Sequence, residues 1–112
     1  MESRKRDLFP GALEMMILKS LQRQPEHGYA LVQHIKRTSN HLLRVEEGSL
    51  YPALQRLLKA SLVKARWGVS ATNRRVRIYE LTAAGKKHLE VEVSKFEQML
   101  EGITRVLAPG ES

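Results

Sequence analysis

The stretch from Gly48 to Thr82 constrains the fold of this chain most, because a helix signal is followed directly by two strand signals, and nearly all of the charged residues are basic. Between Gly48 and Tyr79 there are seven Lys or Arg residues and no Asp or Glu. A helix that enters a DNA groove and a hairpin that reaches the adjacent backbone both face phosphates. The pattern therefore predicts a winged helix-turn-helix that contacts nucleic acid. An ordinary solvated face, which normally mixes its charges, is the alternative.

The charge is distributed unevenly along the 112 residues. Residues 1–79 hold 15 Lys or Arg against 6 Asp or Glu, a net charge of +9, whereas residues 80–112 hold 4 against 6, a net charge of −2. One basic module joined to one mildly acidic module is the simplest interpretation. A basic module favours polyanionic partners such as DNA, RNA or an acidic membrane surface.

Several classes of protein are not expected from this composition. The chain has no cysteine, which excludes disulfides, thiolate nucleophiles and Cys-based zinc sites and fits the reducing cytoplasm. Glu14 and Lys19 interrupt the first apolar stretch, so neither a signal peptide nor a membrane span is expected. No nucleophile has an adjacent base, and no Gly-rich phosphate loop occurs. The one acidic pair, Glu46-Glu47, falls in a predicted turn, where adjacent side chains point apart. We therefore expect neither an enzyme nor a cofactor.

The histidines raise the question of a metal site. His27, His34 and His41 recur every seven residues, but two of them fall outside the predicted second helix. No cysteine and no nearby carboxylate completes a ligand set. We expect no bound metal.

The spacing of apolar residues predicts four segments: an arm over residues 1–10, a winged helix-turn-helix domain over residues 11–81, a dimerisation helix over residues 82–108 and a tail over residues 109–112. Within the domain, a first helix is expected from Gly11 to about Gln24. A breaker at Pro25–Gly28 precedes a second helix from Tyr29 to about Thr38, in which Tyr29 is expected to be buried. Leu42–Val45 is a candidate for a brief strand.

Ser49 is the predicted N-cap of the third helix, with Pro52 in its first turn. The polar and basic residues of this helix are expected to face outward. Two wing strands are predicted from Leu62 to Trp67 and from Val76 to Leu81, joined by a polar turn. The predicted fold is thus mainly α with a small β-hairpin.

Thr82 is the predicted N-cap of the last helix, in which apolar residues are spaced 4, 3, 4, 3 and 4 apart. They are Leu89, Val93, Phe96, Leu100, Ile103 and Leu107. So regular a/d spacing predicts self-association through this helix, since a helix docked on its own domain usually has a wider apolar face. A two-fold dimer would place two recognition helices about 34 Å apart and match a palindromic operator.

The ordered motifs of residues 10–90 resemble the PadR family of bacterial transcriptional regulators, in its short form with one C-terminal helix. They are His27-Gly28-Tyr29, the block EGSLYPAL from Glu47 to Leu54, Arg56-Leu57, Leu62-Val63, Trp67, and the block YELT from Tyr79 to Thr82 followed by Gly85 and Leu89. The resemblance implies a winged-helix homodimer that binds operator DNA, usually as a repressor. It also implies a small hydrophobic or phenolic effector, bound between the subunits.

The resemblance places Ser49, Tyr51, Gln55 and Arg56 on the groove side, and the exposed Lys59 is added from the same face. Gln55 and Arg56 suit adenine and guanine edges, with phosphate contacts as an equal alternative. For Tyr51, which suits a phosphate contact, a packing ring is the alternative.

The wing would carry Arg74 and Arg75 to the phosphates or the minor groove, unless they form only a flexible surface pair. Trp67 is a candidate effector contact, although an aromatic that anchors the wing to the core is favoured. In two places the chain departs from the family pattern. Leu58 stands where an acidic residue is expected, and Ser61 stands where a glycine commonly ends the helix. A left-handed conformation there would cost a serine about 1 kcal/mol.

A second function from another class is a winged-helix module that dimerises but docks a protein partner. The basic wing argues against it, since the core of a protein interface is depleted in charge.

Overall fold

The computed structural model describes residues 11–110, so the predicted N-terminal arm and the last two residues of the tail lie outside the described residues. The helices are α1 (Ala12–Arg23), α2 (Gly28–Thr38), α3 (Glu47–Lys59) and α4 (Ala83–Leu107). The strands are β1 (Glu26–His27), β2 (Val63–Val69) and β3 (Arg75–Leu81). This order confirms a winged helix-turn-helix, mainly α with a small sheet, followed by a long C-terminal helix.

The core of the domain lies where the apolar faces of α1, α2 and α3 meet. Its largest fully buried side chains are Ile17, Leu18, Leu31, Leu50 and Leu54. Full burial of an aliphatic side chain of this size contributes about 1.5–3 kcal/mol. The core therefore holds α3 by one face and leaves its opposite face in solvent.

The sheet has the strand order β1-β3-β2 and is antiparallel throughout. The predicted hairpin of β2 and β3 is confirmed, with Trp67 opposite Arg77. The third strand, β1, was not predicted, because its two residues fall in the predicted breaker and gain their partners only from the distant β3. The predicted strand Leu42–Val45 is wrong. Here two consecutive positive φ angles, at Asn40 and His41, turn the chain, and Val45 packs into the core without a strand partner.

The start of α3 also differs from the prediction. Its N-cap is Glu46, whose carbonyl oxygen accepts from the backbone N–H of Ser49 at 2.9 Å, so Ser49 lies in the first turn and is not the cap. Pro52 lies beyond the first turn, where it offers no N–H to the carbonyl of Gly48. Gly48 and Pro52 are both exposed, so water can take the place of that donor.

Ser61, which stands where a glycine is common, follows the C-cap Ala60 of α3. Ser61 has a φ of 61°, and the backbone N–H of Leu62 donates to the carbonyl of Leu57 at 3.0 Å. This pattern is a Schellman motif with serine in the left-handed position. The turn is therefore kept in spite of the substitution, at the expected cost of about 1 kcal/mol.

Thr82 caps α4 as predicted, and it also ties the helix to the end of α3. Its side-chain oxygen accepts from the backbone N–H of Gly85 at 2.9 Å and donates to the carbonyl of Ser61 at 2.8 Å. We expect Thr82→Ala to lower the free energy of unfolding by about 1–2 kcal/mol, because both hydrogen bonds are lost. Urea denaturation measures this loss, with Thr82→Ser, which keeps the hydroxyl, as the control. An equal loss in both variants would contradict this explanation.

The apolar seam of α4 divides into two parts. Leu89 is 2% exposed within the core of its own domain, so its prediction as a dimer contact is wrong. Val93 packs against the same core, and Phe96 is half-buried. Beyond them the helix leaves the domain, and its apolar residues are exposed. The uniform heptad spacing conceals this division, because α4 packs against α1 of its own domain over only part of its length.

Candidate nucleic-acid interface

The exposed face of α3 carries the predicted groove-side residues. Leu50, Ala53, Leu54 and Leu57 hold the opposite face in the core. Ser49, Tyr51, Gln55, Arg56 and Lys59 are all exposed. The binary pattern of the helix, apolar on one side and polar on the other, thus produces an exposed polar face of the kind that fits a major groove.

These side chains nevertheless point in different directions. Gln55 and Lys59 lie on the outermost side of α3, directly opposite its buried residues. Tyr51 leans towards the start of α2, where a Cβ on Gly28 would come within 2.7 Å of the Tyr51 hydroxyl. Arg56 leans the other way and pairs with Glu14 of α1 at 2.7 Å. The face therefore has a centre and two flanks, and each flank is fixed by another helix.

A cleft of about 860 Å³ lies between the start of α2, the Tyr51 flank of α3 and the wing. Five arginines line it: Arg23, Arg37, Arg74, Arg75 and Arg77. Of the described residues that line the cleft, Glu26 is the only acidic one, and it pairs with Arg23 at 3.3 Å. The electrostatic potential of the cleft is therefore positive, and aromatic rings form part of the cleft wall. The cleft suits a polyanion better than a neutral ligand.

Trp67 lies in the wall of this cleft and not in the core. Its side chain is 55% exposed, so the prediction that it anchors the wing to the core is wrong. The guanidinium carbons of Arg75 and Arg77 lie 4.2 and 5.5 Å from the ring centroid. The indole thus provides a cation–π surface for two arginines of the wing. Because it is accessible, it stays a candidate contact for an effector.

The tip of the wing is held in shape by backbone bonds around Arg74. Ser70 donates from its backbone N–H to the carbonyl of Arg74 at 2.8 Å, and Arg74 donates back to the Ser70 hydroxyl at 3.2 Å. Asn73 takes the left-handed conformation that closes the turn. Arg74 in the turn and Arg75 at the start of β3 are both exposed. The structure therefore presents both predicted wing arginines at the outer end of the cleft.

The chemistry of Tyr51 is set by its place at the inner end of the cleft. Burial, with smaller contributions from Glu47 and Tyr79, raises the pKa of the Tyr51 phenol above its usual value. The phenol therefore keeps its proton at neutral pH and can donate it to an acceptor such as a phosphate oxygen. The alternative role of Tyr51, as a packing ring, holds in part. The ring lies over Gly28, but Tyr51 is still 43% exposed.

The sequence as a whole matches a known family. Residues 17–91 match the model of the transcriptional regulator PadR-like family. The chain belongs to the PadR-like family. It is a transcriptional regulator with a DNA-binding fold, and its structural neighbours are regulators as well.

Solved structures place the PadR-like fold over most of the chain. A transcriptional regulator from Clostridium thermocellum is 25% identical, with a TM-score of 0.81 over 88% of this chain and 96% of that one. Bacillus subtilis PadR, solved in complex with operator DNA, has a TM-score of 0.65 at 23% identity, over 73% of this chain and 46% of that one. Among curated relatives, an uncharacterized protein X of Lysinibacillus sphaericus is 27% identical over 85% of this chain and 87% of its own length.

The cleft residues of this PadR-like chain that were not predicted as site residues include Arg23, Tyr29, Arg37 and Arg77. Tyr29, predicted to be buried, is 62% exposed. A usable signal was present, because Tyr29, Gln33 and Arg37 recur four residues apart and so share one polar face of α2. For Arg77 the signal was strand alternation, which puts it on the same side of β3 as Arg75.

Histidine has a structural role at the start of α2. The His27 side chain accepts from the backbone N–H of Ala30 at 3.4 Å and caps the helix. Residues 11–110 contain no group of three potential metal-binding side chains. Within the same residues, no helix combines the length and the apolar character that crossing a membrane requires.

Proposed function

We propose that the protein is a repressor that binds a palindromic operator in the cytoplasm as a homodimer, with α3 in the major groove and the wing on the flanking backbone. One observation carries this proposal. A cleft lined by five arginines meets the exposed face of α3 at Tyr51. Repression itself is supported by the family resemblance.

The geometry of this surface supports a division of labour between α3 and the wing. Gln55 and Lys59, on the outermost side of α3, are the residues that a groove would receive first. Arg74 and Arg75 lie at the wing, where a duplex would present phosphates. The Tyr51 hydroxyl lies between them and suits a phosphate oxygen. In this arrangement α3 reads bases, and the cleft provides sequence-independent affinity.

The homodimer is supported by the exposed part of α4. Its 25 residues span about 37 Å, and the molecule is 59 Å long against widths of 32 and 25 Å. The apolar residues Met99, Leu100, Ile103, Val106 and Leu107 are 38–83% exposed. We call these five residues the α4 stripe. A second copy of the same stripe would cover it by two-fold symmetry.

The proposal is tested by fluorescence anisotropy on the duplex upstream of the protein's own gene and on a scrambled duplex, at two salt concentrations. We expect a preference of about a thousandfold or more and a steep loss of affinity with salt. Transcription from the bound promoter should then fall when protein is added. Binding to neither duplex at low salt would overturn the proposal and favour the protein-docking module.

Two substitutions separate base reading from backbone contact. Arg56→Ala should reduce the preference for the operator by about tenfold, because a base contact is lost. Arg74→Ala should weaken operator and scrambled DNA equally and lower the slope of log affinity against log salt by about one. The measurement is the same anisotropy titration. Equal losses on both duplexes for both variants would contradict this division.

A further inference from the structure

The ion pair between Arg56 and Glu14 joins the proposed reading helix to α1 across 42 positions of sequence. The Nε and Nη2 atoms of Arg56 both lie 2.7 Å from the Oε2 oxygen of Glu14. One side edge of the guanidinium is therefore occupied by the carboxylate. The terminal edge, formed by Nη1 and the second hydrogen of Nη2, stays available to a further acceptor.

Glu14 is fixed more firmly than a surface carboxylate. It lies in the first turn of α1 between Leu13 and Ile17, which belong to the core and hold that helix in place. Its side chain is 25% exposed, while that of Arg56 is 60% exposed. A comparison is available in α4, where Glu101 and Arg105 pair at the same 2.7 Å but are 63% and 77% exposed.

This arrangement affects the two kinds of DNA contact in opposite ways. A guanine accepts from the terminal edge of an arginine through O6 and N7, and that edge is free. Holding the side edge removes much of the rotational freedom that Arg56 would otherwise lose on binding. A phosphate is attracted chiefly by net charge, and the adjacent carboxylate offsets the charge of Arg56. The pair therefore favours a base over a phosphate as the partner of Arg56.

We propose that Glu14 is a positioning residue that makes Arg56 read a guanine in the operator, and that the carboxylate suppresses phosphate contacts by the same arginine. This inference rests on the proposed function. It assigns a role in specificity to a helix that does not itself form the exposed DNA-binding surface.

Glu14→Gln tests the inference, because the amide is similar in size and lacks the charge. Affinity for random duplex DNA should rise severalfold at low salt, and the slope of log affinity against log salt should steepen by up to about one. The preference for the operator, selected from a random duplex pool by the wild-type protein, should fall about tenfold. A merely structural role would not raise the affinity for random DNA.

Two controls separate this effect from general ones. Glu101→Gln removes an equally short pair and the same charge from α4, and it should leave the preference unchanged. In an Arg56→Ala background, Glu14→Gln should have little further effect on the preference, since the residue that it positions is absent. Thermal unfolding of each variant shows that the comparison is made between folded proteins.

The outcomes distinguish this inference from the function on which it rests. If the wild-type protein selects no sequence, the proposed function fails and the inference fails with it. If the wild-type protein selects an operator and Glu14→Gln keeps the full preference, only the role of Glu14 is overturned. A Glu14→Gln variant that binds both DNAs more tightly by the same factor would also overturn it, because the carboxylate would then be acting through net charge alone.

Discussion

Gly85→Ala is expected to lower the free energy of unfolding by about 3 kcal/mol and the Tm by more than about 10 °C at fixed protein concentration. Gly85 is buried in the first turn of α4. A Cβ there would overlap the carbonyl oxygen of Leu62 and lie 2.8 Å from Cδ1 of Leu81. The carbonyl cannot easily retreat, because it accepts from the backbone N–H of Thr82 at 3.2 Å. Urea and thermal denaturation measure the loss.

Gly102→Ala is the matched control in the same helix. A Cβ at Gly102 would meet nothing within 4 Å. Alanine is the better helix former, so this variant should gain about 0.5–1 kcal/mol. The opposite signs of the two effects separate steric overlap from helix propensity. A Gly85→Ala variant as stable as the wild-type protein would show that the turn before β2 yields, and that α4 is not held against it.

The local parts of the fold could be predicted from the sequence. The helix-hairpin-helix order after Gly48 follows from apolar spacing, and the Thr82 cap follows from residue type and position. The third strand could not be predicted, since Glu26 and His27 form a strand only through pairing with Ile78 and Tyr79. Pairing between segments so far apart leaves no signal in either segment alone.

Only part of the candidate site could be predicted, because the sequence shows local patterns and does not show contacts between distant segments. Exposed residues on α3 and at the wing tip were identified, because a helical face and a charged turn are local patterns. The cleft was not, since it exists only where α2 and the wing meet. The pairing of Arg56 with Glu14 depends likewise on how α1 packs against α3.

Substituting Leu100 and Ile103 together with glutamate is expected to convert the proposed homodimer to a monomer and to weaken operator binding by about a hundredfold or more. Leu100 and Ile103 are 49% and 38% exposed at the centre of the α4 stripe. Two carboxylates from each copy would meet across the two-fold axis, where apolar contact is lost and like charges repel. A monomer binds only one half-site. It therefore loses the gain in affinity that comes from binding both half-sites at once, which is commonly about 10²–10⁴-fold.

The control is Ser94→Glu, which adds a carboxylate to an exposed position on the opposite side of α4. It should keep the wild-type mass and affinity. Analytical ultracentrifugation at micromolar concentration gives the mass, and anisotropy on the full operator and on a single half-site gives the affinity. The double variant should bind a single half-site with the same affinity as the wild-type protein, because its α3 and wing are unchanged. A wild-type monomer at that concentration, or a double variant that is still dimeric, would refute dimerisation through this stripe.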